Sequence, residues 1–167
     1  MNRKTRAVVA LTVVAAAVTF TGCAQIQNLI GGNEPERGDD GEVTEVTEGV
    51  SVLHLQQGDC TSQFGESEVA ELDLIPCDEP HSNEIYHGYD LPEGDYPGAD
   101  DVNAQAVEEC KTSFETFIGT SYDASELEVN YLVPTQDSWD TDDDRTVLCF
   151  VYDPAGDTTD TLEAAAR

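Results

Sequence analysis

Apolar and polar residues alternate in three short segments in the first part of the chain. The segments are residues 50–55, 69–75 and 84–89. A period of two places successive side chains on opposite faces of an extended chain, so each segment is predicted to be a β-strand. Turn-forming residues Gly58 and Asp59 follow the first segment, and Pro76 ends the second. We predict that the second and third strands are neighbours, joined by a turn at residues 78–83.

From residue 100 the spacing of apolar residues changes to three and four positions, which is typical of an amphipathic helix. Asp100 is the predicted N-cap, and Gly119 is the predicted stop. Cys110 belongs to the apolar face, so it should point into the core and meet a cysteine on a strand. The residues of this face are Val102, Ala106, Cys110, Phe114, Phe117 and Ile118.

Two further strands are predicted after the helix, at residues 127–133 and 145–152. In the last strand Val147, Cys149 and Val151 share one face, whereas Leu148, Phe150 and Tyr152 share the other. The order of three strands, a helix and two strands predicts an α+β fold. We expect a small, mostly antiparallel sheet of about five strands, with one main helix packed on one face.

The N-terminus has the pattern of an export signal. Arg3, Lys4 and Arg6 precede an uncharged apolar run at residues 7–20, and small residues lead to Cys23. The run is shorter than the roughly 20 residues that a membrane-spanning helix needs. Residues 20–23 resemble a bacterial lipobox, in which the cysteine receives a diacylglyceryl group; an ordinary secretory cleavage beside a chance cysteine is the alternative. Two acyl chains are sufficient for stable membrane anchoring.

These patterns divide the chain into four parts. Residues 1–22 are predicted to be a lipoprotein signal peptide, and residues 23–49, rich in Gly, Glu and Asp, a lipid-anchored disordered tether. Residues 50–153 form the predicted globular domain. Residues 154–167 are predicted to be a flexible tail.

The cysteine count agrees with export from the cytoplasm. Of five cysteines, Cys23 is the predicted lipidation site, and an even set of four remains. An even set in an exported chain predicts disulfides. Three pairings are possible, and the order of the elements favours Cys60–Cys77 and Cys110–Cys149. A zinc site of four thiolates is the alternative, but the paired spacing that is usual for such sites is missing.

The charge is strongly negative, at −28 for the whole chain. Loss of Arg3, Lys4 and Arg6 with the signal leaves 35 acidic residues against four basic ones. Such a chain is repelled by nucleic acid and by an anionic membrane surface. The acids could attract cations or basic partners, but they also keep a surface protein solvated and would suit a salt-rich habitat.

The densest group of reactive residues lies at positions 77–86 and reads CDEPHSNEIY. His81, Glu84 and His87 carry the ligand types of a zinc site. On an extended chain, however, His81 and His87 share a face that Glu84 does not. The alternative is that Asp78 and His81 hold the turn after Pro80 by hydrogen bonds.

Two further groups lie near the last strand. Asp140, Asp142 and Asp144 copy the opening of an EF-hand loop, but the sixth position is Arg145 instead of glycine, so that interpretation fails. Trp139 with Arg145 and the tyrosines at 86 and 96 could form a recognition patch, because Trp, Tyr and Arg dominate binding hot spots. Alternatively, Trp139 closes the core. Arg145 is expected to pair with a carboxylate such as Asp78 or Glu84.

The motifs together resemble the septum formation domain, which occurs in envelope-anchored proteins of actinobacteria. The resemblance covers residues 58–150. It rests on Gly58-Asp59-Cys60, Cys77-Asp78-Glu79-Pro80-His81 with Glu84, Tyr96-Pro97-Gly98, Cys110, Trp139, Asp144-Arg145 and Cys149. It implies a link to septum formation or cell division, and no established biochemical activity.

We therefore expect a lipid-anchored, extracytoplasmic module that binds an envelope protein or a cell-wall polymer, without catalysis and without a cofactor. The motif residues Asp78, Pro80, His81, Glu84, Tyr96, Trp139 and Arg145 are the candidate binding residues. The alternative is a metal-binding protein or metal-dependent hydrolase that uses His81, Glu84 and His87.

Overall fold

An antiparallel sheet with a hydrophobic core on each of its faces forms the centre of the fold. A computed structural model describes residues 33–64 and 69–167. In these ranges the strands are β1 (Thr47–Ser51), β2 (Cys60–Thr61), β3 (Glu71–Ile75), β4 (Asn83–Asp90), β5 (Glu128–Leu132) and β6 (Thr146–Tyr152). The helices are α1 (Ala99–Ile118) and α2 (Gln136–Thr141), with 3₁₀ turns at Val52–His54 and Tyr122–Ala124. The predicted α+β class is confirmed.

The strand order is β1-β3-β2-β4-β6-β5, and every pairing is antiparallel. The prediction that the second and third strands are neighbours was wrong, because β2 lies between β3 and β4. Cys60 of β2 pairs with Ile75 on one side and with Glu84 on the other. A strand of two residues is too short to show alternation, so the sequence pattern could not reveal it.

Helix α1 packs its apolar stripe on one face of the sheet. Val102, Ala106, Cys110, Phe114 and Ile118 are buried there against Val147, Cys149 and Val151 of β6. Leu148 and Phe150 belong to a second core on the opposite face, with Val50, Leu72, Leu74 and Ile85. The predicted division of β6 into two faces is thus confirmed, and so is the helix stop at Gly119, which adopts φ 86°.

Both predicted disulfides are present. Cys60 and Cys77 have their Cα atoms 5.3 Å apart, and their bond ties β2 to the end of β3. Cys110 and Cys149 have Cα atoms 5.4 Å apart, and their bond ties α1 to β6. Because all four sulfurs are oxidised, the four-thiolate zinc site is excluded.

The folded domain begins earlier in the sequence than predicted, because residues 33–49 already pack against it. Arg37 forms a two-pronged ion pair with the carboxylate of Asp59, at 2.5 and 2.9 Å, and Asp59 is buried. The backbone of Arg37 also bridges to Val43, whose side chain joins the second core. Residues 33–49 therefore differ from the predicted tether. Cys23, the predicted signal peptide and the first part of the tether lie outside the described residues.

The C-terminal segment, residues 154–167, also differs from its predicted form, because it lies along the domain. Leu162 is 5% exposed and joins the core under α1. The backbone N–H groups of Ala164 and Ala166 donate to carbonyls at the end of α1, both at 2.8 Å. A single leucine among polar residues has no periodic pattern, so the sequence did not indicate this packing.

Among the helices within the described ranges, none is long and apolar enough to cross a membrane.

Candidate functional site

His81 joins the turn at residues 78–83, which we call the motif turn, to the C-terminal segment. Its ring is buried, and Nδ1 lies 2.8 Å from the carbonyl oxygen of Glu79. A carbonyl can only accept, so Nδ1 carries the proton, and Nε2 can then accept from the Thr158 hydroxyl at 3.3 Å. The backbones of His81 and Thr158 also exchange two hydrogen bonds of 2.9 Å. The His81 side chain therefore has a structural role, because its hydrogen bonds connect the turn to the C-terminal segment.

Glu84 binds the same C-terminal segment at Thr161 and Leu162, a few residues after Thr158. The carboxylate is 3% exposed. One oxygen accepts from the Thr161 hydroxyl at 2.5 Å, and the other accepts from the backbone N–H of Leu162 at 2.7 Å. Both contacts are charge-assisted hydrogen bonds, which are about twice as strong as neutral ones. Glu84 therefore anchors the segment that carries the buried leucine.

His87 is separate from these two residues. Its Nε2 lies 3.3 Å from a carboxylate oxygen of Glu109 on α1, but the geometry is not that of a hydrogen bond. The ring stacks on Tyr89, with centroids 5.8 Å apart. His81, Glu84 and His87 have different partners, and the two histidines belong to no group of converging ligand atoms in the described residues. The metal site given as the alternative is therefore not assembled there.

One other set of ligand types meets near this turn in the described part of the chain. Cys60, Cys77 and Glu84 have potential ligand atoms within 4.8 Å of one another. The two sulfurs are bonded to each other, so neither is a thiolate. Asp78 and Pro80 are exposed on the surface of the turn.

Trp139 closes the core at the other end of the domain. Its ring is 3% exposed, and Nε1 donates to the carbonyl of Gly94 at 2.9 Å. Tyr96 meets the ring edge-on at 5.5 Å. The guanidinium of Arg145 lies 3.7 Å from the ring centroid. Tyr86, by contrast, is buried beneath α1, where desolvation raises the pKa of its hydroxyl, so it takes no part in a surface patch.

Arg145 pairs with neighbours in its own loops. It contacts Asp143 at 3.0 Å and Glu93 at 3.9 Å, and it donates to the carbonyls of Trp139 and Asp144. The expected pairing with a carboxylate is confirmed. The partners suggested for it were wrong, because Glu84 binds the C-terminal segment and Asp78 is exposed on its turn. An open cavity of about 480 Å³ adjoins this group, and its carboxylates are Asp95, Asp140 and Asp143.

Replacement of Trp139 by phenylalanine is expected to lower the free energy of unfolding by about 1–2 kcal/mol. The change removes the hydrogen bond to Gly94 and weakens the cation–π contact with Arg145, while most of the ring remains. Because Trp139 is the only tryptophan, urea unfolding should be followed by circular dichroism. Gln136→Ala, beside the same cavity, is the control, and an equal loss in both variants would contradict the prediction.

A second cavity lies beside the motif turn and was not predicted from the sequence. Its volume is about 350 Å³. We call it the amide cleft, and its principal lining residues are Phe64, Ser82, Asn83, Asn130, Tyr152 and Asp157. They come from the segment after β2, the start of β4, the middle of β5, the end of β6 and the C-terminal segment. No local pattern connects such distant positions, so only the folded chain reveals the site.

The comparisons identify the family of this chain. Curated proteins and solved structures gave no match. The family model described as septum formation matches residues 57–167, which is more than half of the chain. The matched range begins just before β2 and includes the motif turn, α1, Trp139 and the C-terminal segment. The chain therefore belongs to the septum formation family, which assigns it a role in septum formation or the cell envelope.

Proposed function

We propose that the protein is a lipid-anchored, extracytoplasmic binding module that acts at the septum and has no catalytic activity. The observation that carries the proposal is the amide cleft, an open cavity at the family's motif turn. The groups around it are amides, hydroxyls, aromatic rings and carboxylates, which recognise ligands by hydrogen bonds and packing. The residues with the best catalytic chemistry nearby, His81 and Glu84, are buried in contacts with the C-terminal segment.

The disulfides support an extracytoplasmic location. Disulfides persist in oxidising compartments and are rare in the cytoplasm. Both bonds here join secondary-structure elements of the folded domain. The signal-like pattern that ends at Cys23 supports lipid anchoring, because a thioether-linked diacylglyceryl group inserts two acyl chains into the bilayer.

The net charge disfavours nucleic acid as a partner, because the processed chain has 35 acidic residues and only four basic ones. At an extracytoplasmic location, the proposed partner is then an envelope protein or a wall polymer. The same charge repels anionic lipid headgroups, so the lipid anchor, and not the surface of the domain, would hold the protein at the membrane.

We expect the full chain to be enriched at division septa, and its Cys23→Ala variant to lose membrane attachment. The proposed diacylglyceryl anchor is attached to the Cys23 thiol, so a variant without this thiol should leave the membrane fraction. An epitope inserted between Gly31 and Gly32 allows immunofluorescence and fractionation without a tag on the packed C-terminal segment. Ser62→Ala in the folded domain is the control, which should fractionate with the membrane.

Two outcomes would contradict the proposal. An even distribution of the wild-type chain around the cell would remove the septal role. A Cys23→Ala variant that stays in the membrane fraction would remove the lipid anchor.

A further inference from the structure

We infer that the amide cleft binds an uncharged carbohydrate. The inference rests on the proposed function and deepens it, because it names the chemical class of the partner. A sugar presents hydroxyl groups that donate and accept hydrogen bonds around a ring with apolar C–H faces. A site for it therefore needs both donors and acceptors at fixed positions, together with an aromatic surface.

Asn83 supplies a fixed acceptor. Its side chain is 4% exposed, and Nδ2 donates to the carbonyl of Ser62 at 2.8 Å and to the Thr61 hydroxyl at 3.4 Å. These two bonds hold the amide in one orientation. No donor within residues 33–64 and 69–167 contacts its Oδ1. The oxygen is left to accept a hydrogen bond from a ligand.

Asn130 supplies the complementary donor from the edge strand β5. Its Oδ1 accepts from the backbone N–H of Tyr131 at 2.9 Å, which fixes the side chain and leaves Nδ2 for a ligand. The same bond occupies an outward N–H of the sheet edge. Strand addition by a peptide therefore loses one of the backbone donors on which that recognition depends.

Phe64 and Tyr152 supply the aromatic surface. Both rings line the cleft and are half-buried. Phe64 is held edge-on against Phe150, with centroids 4.8 Å apart. A ring fixed in this way offers a large apolar area at small entropic cost, and the C–H face of a sugar can pack on it.

The charges in the cleft disfavour an anionic ligand. Asp157 accepts from the Ser82 hydroxyl at 2.7 Å, and Asp153 accepts from the N–H of Ala155 at 2.8 Å and from Arg167 at 2.7 Å. The bond from Ala155 and the ion pair with Arg167 lower the pKa of Asp153, which keeps this carboxylate charged at neutral pH. Arg167 offsets that charge, which also weakens the attraction for a cation.

The size of the cleft suits a small part of a polymer. Its volume of about 350 Å³ lies near the lower end of the roughly 300–1,000 Å³ that is typical of small-molecule sites. The cleft is open, so a chain can continue beyond it on either side. The end or the middle of a glycan strand can thus occupy it.

The test is a titration of the detergent-solubilised full chain with neutral tetrasaccharides of glucose, mannose, galactose and N-acetylglucosamine. Oligoglucuronate and trilysine are the anionic and cationic probes, and calorimetry is the measurement. Asn130→Asp keeps the acceptor for Tyr131 but replaces the free donor by an oxygen. We expect at least one neutral tetrasaccharide to bind, and Asn130→Asp to weaken it about tenfold. Gln136→Glu adds the same charge outside the cleft and should leave the affinity unchanged.

Three results would overturn the inference: no neutral tetrasaccharide binding at millimolar concentration, equal binding by Asn130→Asp, or binding of trilysine or oligoglucuronate in place of the sugars. Immunofluorescence of the wild-type chain separates this failure from failure of the proposed function. Septal enrichment without sugar binding would retain the binding module and exclude a carbohydrate partner in the amide cleft. An even distribution around the cell would remove the septal role itself.

Discussion

Removal of the Cys110–Cys149 disulfide is expected to lower the free energy of unfolding by about 4 kcal/mol. The bond closes a loop with a sequence separation of 39 residues, and the chain-entropy relation gives about this value for a loop of that length. Both cysteines are fully buried between α1 and the sheet. The Cys110→Ala, Cys149→Ala double variant avoids leaving polar hydroxyls in that position. Urea unfolding of the oxidised wild-type and the variant measures the difference.

The second disulfide provides the matched control. Cys60 and Cys77 are separated by 17 residues, so the same relation gives a smaller loss of about 3 kcal/mol for Cys60→Ala, Cys77→Ala. The first double variant should therefore have the lower urea midpoint. A larger loss from the shorter loop would mean that native contacts, and not loop closure, determine what these bonds contribute.

The disulfides also mark how far the sequence alone predicted the fold. The helix spacing placed Cys110 on the buried face, and the alternation in β6 placed Cys149 on the face that α1 covers. Long elements repeat their period several times, so their buried faces can be predicted. The two-residue strand β2 and the six-residue helix α2 contain too few repeats to reveal a period.

The candidate site was less predictable, because its contacts join distant parts of the chain. The sequence marked His81 and Glu84 as unusual residues, but their partners Thr158 and Thr161 both lie 77 residues downstream. Polar contacts of this kind leave no periodic pattern. Without those partners, the residue types left a zinc site open as an alternative, although the alternation of faces disfavoured it. The amide cleft was not predicted for the same reason, since Asn83 and Asn130 line one cavity only in the folded sheet.

The C-terminal segment acquires a clear role from these contacts. It passes the motif turn at His81, inserts Leu162 into the core and ends beside the last turn of α1. It also supplies Asp157 to the amide cleft. The family match extends to residue 167, so the segment belongs to the domain in sequence as well as in structure. Its attachment should therefore affect both stability and ligand binding.

Loss of the Glu84 carboxylate is expected to detach this segment. In Glu84→Ala, the hydroxyl of Thr161 and the N–H of Leu162 lose charge-assisted bonds, so the free energy of unfolding should fall by about 3 kcal/mol. Glu84→Gln can still accept from Leu162 and donate to Thr161, so its loss should be about 1 kcal/mol. Urea unfolding gives these values, and hydrogen exchange of the Leu162 amide reports the local opening.

Glu109→Ala is the control for Glu84, because it removes an exposed carboxylate from α1 and should change stability by less than about 0.5 kcal/mol. A loss of stability that is largest in Glu84→Ala, smaller in Glu84→Gln and negligible in Glu109→Ala separates the bonds between Glu84 and the C-terminal segment from a general effect of charge. In a chain with 35 acidic residues, removing any carboxylate relieves some repulsion, and that effect would stabilise all three variants.

If Glu84→Ala were as stable as Glu109→Ala, with unchanged exchange at Leu162, the carboxylate would not hold the segment. Faster exchange confined to residues 157–166 in Glu84→Ala would instead show that the segment opens as a unit while the sheet stays folded.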